Sequence, residues 1–261
     1  MRLIDLVENA LYEDMPDGDL TTNSLGLGQR NGAAKLIAKE DLVLSGLQLF
    51  ELTVLQLDQE AKLKWQFKDG DLVLKGQTVC SIQSDLCQLL KAERVALNFM
   101  GRLSGIATFT RCFVEKVAGT KTRILDTRKT TPGYRELEKK AVRDGGGQNH
   151  RMNLSAAVLI KENHARAVGD LSEAIRRAKA AVRTPIEVEA HSLNDVKVAV
   201  QMGVGRILLD NMDNATLQQA LELIPSHIET EASGNMSLDR VASVAQLGVN
   251  FISVGALTHS A

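Results

Sequence analysis

The chain has 261 residues, 44% of them hydrophobic and 24% charged, with a formal net charge of −1. That composition excludes wholesale disorder, and the near-zero charge argues against a general nucleic-acid binder. No apolar run approaches the ~18 residues of a membrane span, and the acidic first residues, MRLIDLVENALYEDMPDGD, lack a signal peptide's apolar centre. Three cysteines (Cys80, Cys87, Cys112) without a CxxC pair signal neither a disulfide framework nor a zinc site, so a cytoplasmic protein is expected.

In chain order, Leu3, Leu6, Val7, Ala10 and Leu11 recur at helical spacing over residues 3–14, and PDGDLTT then breaks the pattern. Short strands are predicted at 33–38, 61–67, 72–74 and 78–82, with turns at KDG (68–70) and KG (75–76) and a helix over 47–57. A long helical region runs from about Gln88 to Val117, with Gly101 and Gly105 as possible interruptions. KDGDLVLKGQTVCSI is similar to half of a biotin- or lipoyl-carrier domain but lacks the carrier's Met-Lys-Met, so a structural β-meander is expected.

Beyond residue 120, β-rich runs alternate with helical patterns: TRILD (122–126), AVLIK (157–161), IEVEA (186–190), RILLD (206–210), IETEA (228–232) and NFISV (250–254). Helices are predicted over 193–202, 215–223 and 238–247. Glu189, Asp210 and Glu231 are spaced 21 residues apart, the repeat of parallel strands joined by crossover helices. Six strands are too few for a closed eight-stranded barrel. The predicted fold is therefore α/β, with an N-terminal α+β unit carrying a small antiparallel sheet (1–115) and a C-terminal open, incomplete α/β barrel (116–261).

Active sites of such barrels lie at the carboxyl ends of the strands. There stand Asp126 with Thr127, Arg128 and Lys129; Lys161; Glu187 and Glu189, pointing the same way; Asp210 and Asn211; Glu231 with Ser233 and Gly234; and Gly255. Two acids on one strand face need cations, a metal or ligand hydroxyls. Residues 121–151 hold nine Lys/Arg and four Asp/Glu, a +5 island that leaves (31 − 9) − (32 − 4) = −6 elsewhere. By itself such an island reads first as a solvated basic helix face; the alternative reading is a local anionic ligand, held by arginine forks. GGGQNHR (145–151) fits neither nucleotide-loop pattern, so its glycines are read as turn formers. Ser233-Gly234-Asn235, expected to precede a helix, and Gly255 are better phosphate candidates. His150 and His259 are site candidates by position, whereas His191 and His227 read as surface or capping residues.

ERVALNFMGRLSGIATFT (93–110), DTRKTTPGYRELEKKAVRDGGGQNHR (126–151), IKENH (160–164), EVEA (187–190), LLDN (208–211), EASGN (231–235) and ISVGALTHS (252–260) resemble quinolinate phosphoribosyltransferase, as does EDMPDGDLTT (13–22). The blocks keep family order across nearly the whole chain. The resemblance implies an N-terminal sandwich-like domain, an open α/β barrel and a homodimer. It also implies a reaction: quinolinate and 5-phosphoribosyl 1-diphosphate, with Mg²⁺, give nicotinate mononucleotide, CO₂ and diphosphate in NAD biosynthesis.

On matching positions, Arg94, Thr127, Arg128, His150, Arg151 and Lys161 would bind quinolinate, with Arg94 reaching in from the neighbouring subunit. Lys129 would contact the diphosphate. Glu189 and Asp210 would bind the ribose hydroxyls or the Mg²⁺. Ser233, Gly234, Asn235, Gly255 and His259 would surround the 5-phosphate. Lys129, Lys161, Glu189 and Asp210 would carry the catalysis. The family often has glycine at Asn235, an aromatic at Lys140 and further residues beyond GALTHSA, which implies a truncated chain or a barrel without its last element. Three rivals are a molybdenum-transport-operon homologue, which tends to lack the lysine of IKENH; nicotinate phosphoribosyltransferase; and a non-enzymatic anion-binding module. Neither nucleic acid nor membrane is expected as a partner.

Overall fold

The computed structural model describes residues 2–28 and 30–261. It divides into two compact units that interleave in sequence. One holds the described residues up to Arg111 together with Thr131–Gly146 and Ala261; the other holds Cys112–Thr130 and Gly147–Ser260. Among the described residues no helix is long and apolar enough to cross a membrane.

The first unit opens with helices α1 (Leu3–Asp14) and α2 (Leu20–Ser24). The short α2 follows the PDGD break, where the Asp19 carboxylate accepts the Thr22 N–H as an N-cap. Strands β1 (Asn31–Ile37), β2 (Leu42–Val43), helix α3 (Leu47–Leu57), β3 (Lys62–Trp65), β4 (Leu72–Val73) and β5 (Thr78–Asp85) follow. They form an antiparallel sheet of order β1-β5-β3 and a separate β2-β4 pair; none of these pairs joins strands consecutive in sequence, so the β-meander expected from the KDG and KG turns is not formed. Helix α4 (Leu86–Lys116) then runs unbroken through Gly101 and Gly105. Val79, Cys80 and Ile82 of β5 bury against Phe50 and Val54 of α3 and Ala92, Ala96 and Met100 of α4. Phe50 meets Trp65 edge to face at 5.6 Å.

Helix α5 (Arg135–Asp144) belongs to this unit, although its sequence lies within the basic island. Glu138 is wholly buried, held by Arg102 Nη2 at 2.9 Å and the Thr131 N–H at 3.1 Å. Lys140 bridges Asp69 and Asp144 at 2.6 and 2.7 Å. Glu138 and Lys140 of this helix are therefore paired within the first unit, largely by residues of other elements.

In the second unit the strands are β6 (Arg123–Leu125), β7 (Val158–Ile160), β8 (Ile186–Ala190), β9 (Arg206–Asp210), β10 (Glu229–Ser233) and β11 (Phe251–Ser253). They make one six-stranded, all-parallel sheet of order β6-β11-β10-β9-β8-β7, an open α/β barrel with β6 and β7 at its edges. The crossovers carry α6 (Glu162–Val168) and α7 (Leu171–Ala181) between β7 and β8, then α8 (Leu193–Gln201), α9 (Asn214–Leu223) and α10 (Val241–Gln246). A last turn, α11 (Ala256–His259), follows β11. Asp170, Ser192 and Asp213 cap α7, α8 and α9 by accepting the N–H three residues on.

Period-two alternation sorts the strands into two faces. Val188, Ile207, Leu209, Ala232 and Ile252 are fully buried apolar residues of this unit's core, as are Ile175, Val196, Leu217 and Val244 on the crossover helices. Glu187, Glu189, Leu208, Asp210, Glu231 and Ser233 alternate with those strand residues.

Gly145 tests the packing of the first unit. A Cβ there would lie 2.3 Å from the Ala107 carbonyl oxygen and 2.7 Å from Thr110 Cβ, so α5 can end against α4 only without a side chain. Gly145→Ala should cost about 2 kcal/mol of unfolding free energy in a denaturant titration, as overpacking of a dense interior does. A midpoint equal to that of the parent would contradict this close approach.

A cleft at the carboxyl ends of the parallel strands

A cleft of about 780 Å³ opens at the strand ends of the second unit. Its lining includes Thr127, Arg128 and Lys129 after β6, His150 and Arg151, Lys161 after β7, and Glu189 on β8. Asp210 and Asn211 at the end of β9, Glu231, Ser233, Gly234 and Asn235 on and after β10, and Gly255 and His259 after β11 complete it. Every site residue expected from the sequence lines this cleft except Arg94. Arg94 is exposed on α4 in the first unit. Of the nine cations in the basic island, only Arg128, Lys129 and Arg151 line the cleft, because the α5 charges serve the other unit.

The segment before β7 is held by Asp126, which is fully buried. Its carboxylate accepts the His150 N–H at 2.8 Å and the Asn149 amide at 2.5 Å. Gln148 bridges to β6 by donating its N–H to the Ile124 carbonyl at 2.8 Å. The glycines of GGGQNHR thus lead the chain into a sheet-edge contact that presents His150 and Arg151. Arg151 donates from Nη1 to the Ala157 carbonyl at 2.9 Å. Burial, together with the positive charge of Arg128, lowers the Arg151 pKa below its usual value. A guanidinium whose charge is disfavoured by burial and by a second cation marks a wall suited to negative charge.

Beneath that wall lies a cluster that sequence order could not assemble. Glu187 and Glu231 are buried, and both approach His150 Nε2, Glu187 Oε2 at 3.1 Å and Glu231 Oε2 at 3.5 Å. Arg206 donates from Nη1 to Glu231 at 3.3 Å and from Nη2 to Glu229 at 2.7 Å, and its guanidinium stacks over the Phe251 ring at 4.2 Å. Burial and the Glu187 charge push the Glu231 carboxyl up to about 7. Burial would raise Glu187 too, but the His150 hydrogen bond and the nearby cations hold it below the ordinary carboxylate value. Burial lowers His150, and its hydrogen bond to Glu187 and the charges of Glu231 and Glu187 outweigh that, so its pKa lies above the ordinary imidazole value. The Arg151 N–H donates to Nδ1 at 2.7 Å, which opposes protonation there and leaves Nε2 as the nitrogen whose hydrogen faces the carboxylates.

On the acidic side, Lys161 Nζ ion-pairs with Glu189. His191, expected to be a surface or capping residue, is exposed but stands at the site's edge, 3.5 Å from Glu189 and 3.6 Å from Asp210. Glu189, His191 and Asp210 could together hold a metal ion. Their two carboxylates supply oxygen donors suited to a hard divalent cation. His150, Glu187 and Glu231 are also close enough to share an ion, but Arg206 already neutralises that buried set.

Residues 233–235 precede α10, which begins at Val241 and not at Leu238 as expected, so they stand clear of its first turn. Instead Gly234 (φ 92°), Asn235 (φ 47°) and Asn211 (φ 55°) form two left-handed turns side by side. Across the cleft, Thr258 Oγ1 donates to the Lys129 carbonyl at 2.7 Å. Gly255 leaves room for the Lys129 stem, since a Cβ there would sit 3.1 Å from Lys129 Cδ.

Residues 106–261 match the sequence model described as "Quinolinate phosphoribosyl transferase, C-terminal domain", and residues 19–104 match that of the N-terminal domain. This chain belongs to the quinolinate phosphoribosyltransferase family. It is 38% identical to a probable nicotinate-nucleotide pyrophosphorylase [carboxylating] of Bacillus subtilis (strain 168), over 100% of this chain and 90% of that protein. A Synechocystis protein of the same description is 41% identical over 94% of this chain and 85% of its own length. Among solved structures, the nicotinate-nucleotide pyrophosphorylase from Ehrlichia chaffeensis superposes with a TM-score of 0.95 at 37% identity, covering 100% of this chain and 95% of that one. Membership of the quinolinate phosphoribosyltransferase family accounts for basic and acidic walls facing one another in a single cleft.

The buried carboxyl pair gives a pH prediction. Glu231 keeps its proton up to about pH 7 in the folded chain, whereas an ordinary glutamate releases it near 4.5. Over that window the folded state binds more protons than the unfolded one, so the stability this group contributes is lost as pH rises. Glu231→Gln removes that loss. The melting temperature of the variant minus that of the parent should therefore rise between about pH 5 and about pH 8. A difference that stays flat across that range would contradict the assignment.

Proposed function

We propose that this chain transfers the phosphoribosyl group of 5-phosphoribosyl 1-diphosphate to the ring nitrogen of quinolinate, with loss of CO₂ and diphosphate, to give nicotinate mononucleotide. The observation that carries the reading is one cleft lined by Arg128, Arg151 and Lys161 together with the Glu189 and Asp210 carboxylates, the Arg151 charge being disfavoured by burial and by Arg128. A dianionic acceptor suits the cations and a polyhydroxylated, metal-associated donor the carboxylates.

In this reading Arg128, Arg151 and Lys161 engage the two carboxylates of quinolinate, with Thr127 and His150 beside the ring. Arrival of the dianion offers Lys161 a partner other than Glu189, which frees that carboxylate for the ribose. Departure of diphosphate builds positive charge on the ribose ring, and Glu189 and Asp210 lie where they stabilise it. Attack by the pyridine nitrogen forms the new C–N bond and makes the ring a pyridinium. The bond to the 2-carboxylate then breaks, CO₂ leaves, its electrons pass into the ring, and a proton from water fills C2. Positioning and charge do the work, without a covalent nucleophile.

Magnesium fits the oxygen donors of Glu189 and Asp210, and when bound it neutralises charge on the diphosphate. Lys129 lies at the diphosphate end. Ser233, Gly234, Asn235, Gly255 and His259 surround the 5-phosphate. Arg94 is exposed on α4 and lies outside the cleft lining, as a residue lent to a neighbouring subunit would be, so the proposed assembly is a homodimer. Cys80, Cys87 and Cys112 are all free thiols, compatible with a reducing cytoplasm.

The test is turnover. With quinolinate, 5-phosphoribosyl 1-diphosphate and Mg²⁺, the protein should form nicotinate mononucleotide and CO₂ in equal amounts. Arg128→Ala should lower kcat/KM for quinolinate by about a hundredfold, the loss of a charged hydrogen-bond pair, with the melting temperature unchanged. No product from the folded parent protein with quinolinate would overturn the reading, and product with nicotinate as the sole productive acceptor would redirect it to nicotinate.

A further inference from the structure

Outside the cleft lining, one arginine ties together the two turns that close its phosphate end. Arg240 directly precedes α10 and is half-buried. Its guanidinium donates through Nη1 to the Gly234 carbonyl at 3.1 Å and through Nη2 to the Met212 carbonyl. Those carbonyls belong to different strand ends, Met212 to the turn after β9 and Gly234 to the turn after β10.

The two turns are already in close register. Asn211 donates its backbone N–H to the Ser233 carbonyl at 3.0 Å, and its side-chain amide donates to Asp210 Oδ2 at 2.8 Å. Asn235 Nδ2 reaches Asn211 Oδ1 at 3.4 Å. A Cβ on Gly234 would fall 2.2 Å from Asn211 Oδ1, so the turns meet without room for a side chain. Both Asn211 and Asn235 hold positive φ, a conformation that costs a non-glycine residue free energy and persists only when the surroundings impose it. Arg240 is the cation that satisfies a backbone carbonyl from each turn. A second tie runs beside it: Asn214 Nδ2 donates to Ser243 Oγ at 3.0 Å, and Ser243 Oγ donates to the Arg240 carbonyl at 2.8 Å.

We propose that Arg240 is a positioning residue for the phosphoribosyl donor: by bridging the Met212 and Gly234 carbonyls it sets the Ser233–Asn235 turn and, through Asn211, the Asp210 carboxylate at a fixed separation. Arg240 itself is absent from the cleft lining, so it acts through those two turns. The 5-phosphate end and the ribose end of one donor molecule are thereby held by a single structural unit. The quinolinate wall, built on β6, β7 and the His150–Arg151 segment, has no part in it. This inference rests on the proposed placement of the donor in the cleft.

The test separates the two substrates. Arg240→Gln keeps length and polarity but cannot bridge both carbonyls as a charged fork. It should raise KM for 5-phosphoribosyl 1-diphosphate about tenfold while the Kd of quinolinate, titrated calorimetrically, stays within about twofold, since loss of positioning acts on the donor alone. Arg240→Lys, which keeps the charge and reaches one carbonyl, should restore part of the donor KM, and it carries the same comparison if the glutamine variant does not fold. A donor KM within about twofold of the parent's in either folded variant would overturn the proposal, and so would a parallel loss of quinolinate affinity, which marks general disorder of the cleft. The parent enzyme assayed alongside keeps the outcomes apart: its failure to turn over refutes the substrate assignment, whereas an active parent with an unaffected variant refutes only the role of Arg240.

Discussion

Carboxylates buried at the ends of parallel strands must be neutralised, and most of the cleft follows from how this chain does so. Glu187, Glu231 and Asp126 are all withdrawn from water. An uncompensated buried charge costs several kcal/mol, so each needs a donor or must hold a proton. Asp126 is met by the His150 amide and the Asn149 side chain. Glu231 is met by Arg206, with its pKa pushed to about 7. Glu187 takes the His150 ring. These interactions converge on residues 149–151, so the demands of burial fix the segment that carries two of the quinolinate candidates.

In the upper layer Glu189 holds Lys161, and the Arg151 charge is disfavoured by burial and by the neighbouring Arg128. A cleft whose deep charges are balanced and whose mouth carries such a guanidinium gains free energy from an anion. The ends of β9 and β10 are built differently, from backbone turns at Asn211 and Asn235, where conformational strain is held by neighbouring hydrogen bonds.

Much of this was legible in the chain. Alternation placed Glu187 and Glu189 on one face, opposite Val188, and the 21-residue repeat located three of the parallel strands. Strand ends named most of the polar residues of the cleft, because in parallel sheets that position is set by topology. The family resemblance supplied which chemistry those residues serve. Other features depended on tertiary partners. Helix α6 buries no side chain, so periodicity gives no signal for it, whereas α7 does repeat Leu171, Ala174, Ile175 and Ala178 at helical spacing, a legible pattern absent from the expected elements. Helix α5 is rich in charge and reads as a solvated face, yet Glu138 and Lys139 are fully buried. The role of His191 beside Glu189 and Asp210 needed two strands in register. Arg206 is only the first residue of RILLD in the sequence; β10 and β11 bring Glu231 and Phe251 to it.

The central claim is that the basic wall reads two carboxylates on one ring. Calorimetric titration of the protein with quinolinate and, separately, with nicotinate tests it without any turnover. The account predicts that quinolinate binds at least about tenfold more tightly, since its additional carboxylate gains charge-assisted hydrogen bonds from the Arg128, Arg151 and Lys161 wall. Equal affinities for the two acids would contradict it.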